Sequence, residues 1–252
     1  VDNTAAPVLC RPFDHGAAIT TYSTTKYIGG HGTTIGGLIV DGGNFDWGKA
    51  GADRQPAMNT PDPCYGGVVW DEQVTKNMGL PFAYLLKLRT TLLRDLGGAM
   101  SPFNAWMFIQ GLETLPLRMR EHAKNAQAVA EALAANKKVQ SVTYPGLFEG
   151  AEKEKADKYM TGGYGALIGF ELPGGKEAGS KFIDSLELLY HVANIGDSRS
   201  LAIHPATTTH SQLAPEEQLS AGVTPGYVRL SIGIENVEDI IADITQAIDK
   251  AS

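Results

Sequence analysis

From residue 139 to the C-terminus, short runs rich in β-branched residues alternate with longer segments of helical period. "VQSVTYPG" and "YGALIGFEL" read as strands, and "AEKEKADKYM" and "KEAGSKFIDSLELL" read as helices between and after them. Short strands follow around "HVANIG", "SLAIHP" and "YVRLSIGI", and the amphipathic helix "VEDIIADITQAIDKA" closes the chain. Strands interleaved with helices predict a sheet packed against helices, an α/β layering. Upstream, "AITTYS" and "GGLIVDG" predict two strands joined by glycine-rich turns. Residues 44–72, rich in Gly, Pro, Asp and Asn, read as a long surface excursion. Apolar residues recur at helical spacing over 77–96. A second helix is expected over 102–136, with Ser101 placed to cap it, Pro102 at its first position and a kink at Pro116. The chain opens on "VDNTAAPV", which resembles the end of a buried strand and is expected to belong to a longer polypeptide.

The 252 residues are 43% hydrophobic and 19% charged, with a formal net charge of −7, which fits a soluble globular protein that buries a core. An acidic balance argues against a nucleic-acid partner. The densest basic stretch, "LRMREHAK" at 117–124, has helical spacing and is expected to form a solvated helix face. No apolar run is long enough to predict a membrane span. Cys10 and Cys64 have neither disulfide-framework nor zinc spacing and read as reduced thiols of a cytoplasmic protein.

Chemistry concentrates in "YSTTKYIGGHGTTIGG", residues 22–37. A nucleotide phosphate loop is excluded by order, since its glycines precede the lysine and these follow it; the dinucleotide pattern GxGxxG is not matched either. Pyridoxal 5'-phosphate asks for a lysine, an acid on the ring nitrogen and hydroxyls for the phosphate. Lys26 supplies the first. Ser23 and Thr25, two apart on an extended backbone, point to one side and suit a phosphate. Asp2, at an apparent strand end, is the candidate acid, and the glycines from Gly29 to Gly37 allow close backbone approach. On residue chemistry alone, a Ser/Thr-rich strand end with a solvated lysine remains the competing reading.

"VDNT", "STTKYIGGHGTTIGG" and "VRLSIGIE" together resemble the Cys/Met-metabolism family of pyridoxal-phosphate enzymes, and the resemblance runs the length of the chain. It implies the C-terminal part of a type I aminotransferase fold: a large-domain remnant over 1–100, a long connecting helix over 101–136 and a smaller α+β domain over 137–252. "DGGNFDW" with "PDPCYGG", "LLRDLGGAMSPFNAWMFIQGLETLPLRM" and "ANIGDSRSLAIHPATTTHSQL" are similar to the branch that acts on O-acetylhomoserine with sulfide or methanethiol. By position, the family places the Schiff-base lysine at Lys26, the pyridinium partner at Asp2 and the phosphate hydroxyls at Ser23 and Thr25. It places the substrate-carboxylate arginine at Arg229 and a second carboxylate contact at Asn194, where other branches carry serine. No metal is implied. A homo-oligomer, a dimer of dimers with shared sites, is implied. Rival readings are another γ-active member (an O-succinylhomoserine sulfhydrylase, a methionine γ-lyase or a cystathionine γ-synthase) and a catalytically silent truncated fragment. His31, His204 and His210 read as structural hydrogen bonders, Trp47, Trp70 and Trp106 as packing residues, and Tyr65 as a loop aromatic or a substrate contact.

Overall fold

The computed structural model describes every residue from Val1 to Ser252. The chain divides into two compact units. The first holds Val1–Asp2, Pro12–Tyr22 and Gly37–Ala105; the second holds Asn3–Arg11, Ser23–Gly36 and Trp106–Ser252.

The first unit contains β1 (Ile19–Ser23) up to Tyr22, which pairs with β2 (Gly37–Asp41), and Asp2 forms a parallel bridge to Thr21. Beyond β2 the chain is more ordered than its composition suggests. Residues 44–72 contain α1 (Trp47–Arg54), interrupted at Gly51, and the single turn α2 (Pro56–Asn59). Asp46 starts α1 by accepting a hydrogen bond from the Lys49 amide at 2.9 Å, so a residue that reads as loop composition acts as a helix cap. Met58, Trp70, Val74 and Ala83 form a small buried core, and the Trp47 ring stacks on Tyr84 with centroids 5.3 Å apart. Asp62 ties this core together. It accepts from Lys87 Nζ at 2.6 Å, from Trp70 Nε1 at 2.8 Å and from the Cys64 amide at 3.0 Å. The continuous helical period over 77–96 is broken in the structure: Gly79 takes a positive φ of 67° and Pro81 follows, so α3 (Ala83–Lys87) starts afresh. Cys10 and Cys64 are free thiols.

α4 (Pro102–Ala135) runs 34 residues through Pro116. The rest of the second unit is a five-stranded sheet in the order β3 (Ser141–Thr143), β4 (Leu167–Glu171), β7 (Tyr227–Ser231), β6 (Leu201–Ile203), β5 (Tyr190–His191). All its pairings are antiparallel except β5 with β6. Helices α5 (Gly150–Tyr159), α6 (Gly175–Asp184), α7 (Pro215–Ser220) and α8 (Val237–Ala251) complete it. The central strands bury Ile168, Phe170, Val228, Leu230, Leu201 and Ile203, as expected for runs read as strands. α8 buries Ile240, Ile244 and Ile248 at four-residue spacing, each worth about 1.5–3 kcal/mol of apolar transfer. No helix is long and apolar enough to cross a membrane.

The basic stretch at 117–124 corrects its expectation in part. Arg120 and Lys124 are exposed, but Arg118 and His122 are buried at 6% and 0% exposure. The period of the stretch is helical, yet the buried face runs through Arg118 and His122, because backbone carbonyls rather than water receive their donors.

Asp243 on α8 is a second buried tether. Its carboxylate accepts from the amides of Glu187, Leu188 and Leu189 at 2.9, 2.9 and 3.0 Å. Burial alone would raise its pKa, but these bonds and Gln246 hold it below the ordinary carboxylate value of 3.8. The native state therefore prefers the charged form. Its stabilisation is complete above the unfolded pKa and is lost as pH falls below about 4. Asp243→Ala is expected to cost about 1–3 kcal/mol at pH 7, the penalty of leaving buried amides unpaired. Urea unfolding at pH 7 and pH 3 checks this: the deficit should shrink at the lower pH.

Candidate active site

β1 ends at Ser23, and the chain enters a tight helical turn over Thr24–Ile28 that breaks at Lys26 (φ −87°, ψ −126°). The Gly29 amide donates to the Thr24 carbonyl at 2.8 Å and the Gly30 amide to the Lys26 carbonyl at 2.7 Å. The turn is also anchored to Gly36. The Thr24 amide donates to the Gly36 carbonyl at 3.0 Å, and the Thr25 hydroxyl oxygen accepts from the Gly36 amide at 3.0 Å. The same hydroxyl donates to the Gly36 carbonyl at 3.3 Å, so it must turn its proton away to serve an anion. The Ser23 amide is held by the Thr4 hydroxyl at 2.8 Å. Gly30 is required as glycine: its φ is 71°, and a Cβ there would lie 2.4 Å from Arg118 Nη1.

The segment after β5 folds against this turn. Lys26 Nζ donates to Asn194 Oδ1, and the Asn194 backbone carbonyl accepts from Arg229 Nη2 at 3.2 Å. Ser198 donates to the Gly30 carbonyl twice, from its amide at 2.8 Å and its hydroxyl at 2.9 Å. Three residues distant in sequence thus meet: Lys26, Asn194 and Arg229. Asn194 stands between the two cations, touching lysine through its side chain and arginine through its backbone.

Arg229 lies in the middle of β7, opposite Gly169 of β4 and Ile203 of β6. It pairs with neither Glu235 nor Asp239. Glu235 instead accepts from the Ser200 amide and hydroxyl at 2.6 and 2.9 Å. Burial pulls the Arg229 pKa down while Tyr227 and Tyr27 pull it up, and its buried Nε has no partner. An arginine with unused donors and no carboxylate is a ready receptor for an external one. Beneath it Tyr27 is fully buried, and burial pushes its pKa up to about 12 against the opposing influence of the Ser231 hydroxyl and the Arg229 charge. Asp2 belongs to the first unit and is bridged to Thr21 there.

The histidines hold structure. His204 is buried with Nδ1 at 2.9 Å from the Thr207 hydroxyl and Nε2 at 2.8 Å from the Pro225 carbonyl. His31 Nδ1 bonds the Gly29 carbonyl at 2.7 Å, and His210 Nδ1 meets the Thr209 hydroxyl at 2.9 Å. The Tyr65 hydroxyl donates to Asp95 at 3.0 Å and accepts from Arg94 at 2.5 Å, which makes it a loop contact. Trp70 is buried, whereas Trp106 is 54% exposed.

Sequence reasoning missed Arg118. Its guanidinium donates to the carbonyls of Tyr27 at 2.6 Å, Ile28 at 3.1 Å and Gly111 at 2.7 Å. The signal was present as polar residues Arg118, His122 and Asn125 on the helix face that also carries Met119, Ala126 and Val129.

A lysine facing a neutral amide, an arginine with spare donors beside it, and a hydroxyl-bearing turn fit a cofactor that carries an aldehyde and a phosphate and a substrate that carries a carboxylate. The chain belongs to the Cys/Met metabolism PLP-dependent enzyme family, whose profile matches residues 1–249. It is 51% identical to an O-acetyl-L-homoserine sulfhydrylase of Leptospira meyeri over 98% of this chain and 57% of that one. It is 48% identical to a homocysteine synthase of Schizosaccharomyces pombe over 100% of this chain and 58% of that one. A crystal structure from Campylobacter jejuni, described as an O-acetylhomoserine (thiol)-lyase and containing N'-pyridoxyl-lysine-5'-monophosphate, superimposes with a TM-score of 0.88 at 40% identity, covering 98% of this chain and 58% of that one. The fold is therefore that of the type I pyridoxal-phosphate enzymes, of which this chain forms part; it spans 57–58% of the length of these two curated relatives.

Close backbone approach at Gly111 generates a test. A Cβ there would fall 2.2 Å from the Ile28 carbonyl oxygen, directly behind the Lys26 turn. Gly→Ala inside a helix ordinarily gains about 1 kcal/mol. Here overpacking should outweigh that gain and leave Gly111→Ala less stable by about 1–3 kcal/mol, read as a lowered urea midpoint.

Proposed function

We propose that this chain is the C-terminal part of a pyridoxal-phosphate-dependent transferase that replaces the acetate of O-acetylhomoserine with sulfide, or with methanethiol, giving homocysteine or methionine. The observation that carries the reading is the meeting of Lys26, Asn194 and Arg229 in a chain about half identical to an O-acetyl-L-homoserine sulfhydrylase. Within the whole protein, residues 1–100 complete the cofactor-binding large domain, 101–136 form the connecting helix and 137–252 the small domain. The same reading makes it a cytoplasmic homotetramer, a dimer of dimers with shared sites.

When bound, pyridoxal phosphate supplies an electron sink conjugated to the substrate nitrogen, which acidifies the substrate's Cα–H. Lys26 Nζ is the group that holds the cofactor aldehyde. Freed as an amine, it takes the proton from Cα and delivers it elsewhere on the substrate. Its partner in the structure is an uncharged amide oxygen, so it is not locked in an ion pair. Arg229 receives the α-carboxylate on its open donors, and Asn194 beside it gives the second carboxylate contact. Asp2 keeps the proton on the ring nitrogen, and Ser23 and Thr25 hold the phosphate. The net exchange balances: the Cγ–O bond breaks, acetate leaves with the electron pair, and sulfide brings the pair that forms Cγ–S.

Assay of the full-length protein with O-acetyl- and O-succinylhomoserine plus sulfide should yield homocysteine with the acetyl ester preferred. Methanethiol release from methionine alone would place the protein in the lyase branch instead. Lys26→Ala should lose turnover and the visible absorbance of the cofactor bond together, and a retained band would overturn the lysine assignment. Arg229→Lys should lower kcat/KM for the amino-acid substrate roughly 30- to 150-fold, the equivalent of about 2–3 kcal/mol of bidentate, charge-assisted binding.

A further inference from the structure

We propose that Arg118 is a positioning residue for Lys26: from the buried side of α4 it fixes the backbone pivot on which the lysine swings between the cofactor and the substrate. This rests on the reading of Lys26 given above. Arg118 is 6% exposed, and its guanidinium makes four hydrogen bonds, none to a carboxylate. Two go to the carbonyls of Tyr27 and Ile28, the residues that directly follow Lys26. A third goes to the Gly111 carbonyl, and Nε donates to the Thr114 hydroxyl at 3.2 Å, which orients the fork on its own helix. Burial pulls its pKa down, the mark of a cation placed in a dry site without an opposing charge. A helix needs no such residue for its own stability, and apolar packing would seal the interface at lower desolvation cost.

What the guanidinium supplies is direction. Carbonyls accept at fixed angles, and a planar fork that spans two successive peptide groups sets the orientation of the chain that carries them. The turn is clamped from its other side as well, by the two Ser198 donors on the Gly30 carbonyl. Lys26 therefore carries a side chain with no ion pair on a turn whose carbonyls are held by Arg118 and Ser198. That is the arrangement a residue needs when it must serve two partners in one turnover, because a displacement near 1 Å costs about a hundredfold in rate.

Full-length Arg118→Lys and Arg118→Met test the role, with Leu133→Ala, a buried α4 residue away from the site, as a control for lost stability. Folding is checked by circular dichroism and melting temperature. Besides turnover, the readout is the rate at which the cofactor-free protein recaptures added pyridoxal phosphate, followed by visible absorbance. Arg118→Met is expected to lower kcat per folded, cofactor-loaded molecule about 10- to 100-fold with KM changed less than threefold, and to slow recapture by at least fivefold. Arg118→Lys, which keeps a cation but loses the fork, should recover part of both. Leu133→Ala should lose melting temperature with both rates intact. If the Arg118 variants melt earlier but match the control in kcat and recapture, the residue is structural and the inference fails. If Lys26→Ala keeps the visible band, it is the lysine assignment that fails instead. Should Arg118→Met not fold, an unaltered recapture rate in Arg118→Lys is sufficient to overturn the proposal.

Discussion

α4 drives a line of polar side chains into a dry interface, and the geometry of the second unit's site depends on the carbonyls they reach. Arg118 takes those of Tyr27 and Ile28. Four residues on, His122 Nδ1 takes that of Ile232 at 2.7 Å. Three further, Asn125 takes those of Gly233 and Glu235 at 3.2 and 2.9 Å. The first pair belongs to the turn that carries Lys26, and the others to the stretch just beyond the strand that carries Arg229. Buried carbonyls without partners would cost more than the bonds gain, so the helix fixes both segments in one register. Packing of Met119, Ala126, Val129 and Ala130 on the same face supplies the apolar area. The polar line decides where that area is spent.

The charges follow the same logic. The chain is acidic overall, yet Lys26, Arg118 and Arg229 are all unpaired with any carboxylate. Elsewhere the buried acids are matched: Asp197, buried, grips Arg199 through two bonds at 3.0 and 3.1 Å, and Asp243 holds three amides. Burial would raise the Asp197 pKa, but the bonds from Arg199 win and hold it low. Counter-charges are thus present in the second unit but directed away from the three cations. Arg118 spends its charge on peptide dipoles. Lys26 and Arg229 meet only the side-chain and backbone oxygens of Asn194.

The sheet and its helices were readable because period and residue type agreed: β4 and β7 are β-branched and aromatic runs, and α8 repeats isoleucine every four residues. Lys26 stood out as a candidate because hydroxyls before it and glycines after it have few structural uses together. Asn194 and Arg229 carried no local signal, since they come together by a contact across 35 positions, and only the family resemblance singled them out as candidates. Composition misled in two places. Aspartates 46 and 62 read as loop residues but act as a cap and as the hub of a small core. Arg118 read as solvated because its neighbours Arg120 and Lys124 are, and charge density along a sequence does not say which face of a helix a cation is on.

His122 shows what the dry backing does for the chemistry in front of it. Since the Ile232 carbonyl accepts, Nδ1 must carry the proton, which leaves Nε2 bare and without a hydrogen-bond partner. Its ring meets the Tyr27 ring edge-on, with centroids 5.3 Å apart. Burial pushes the His122 pKa down to about 4, while burial pushes Tyr27 up to about 12. A depressed histidine stabilises the fold above its unfolded value near 6.5, and that contribution is lost as pH falls towards 4. Between those two limits neither group changes charge. The two titratable rings that back the Lys26 turn therefore stay neutral throughout that window, and the bond from His122 to the Ile232 carbonyl persists with them.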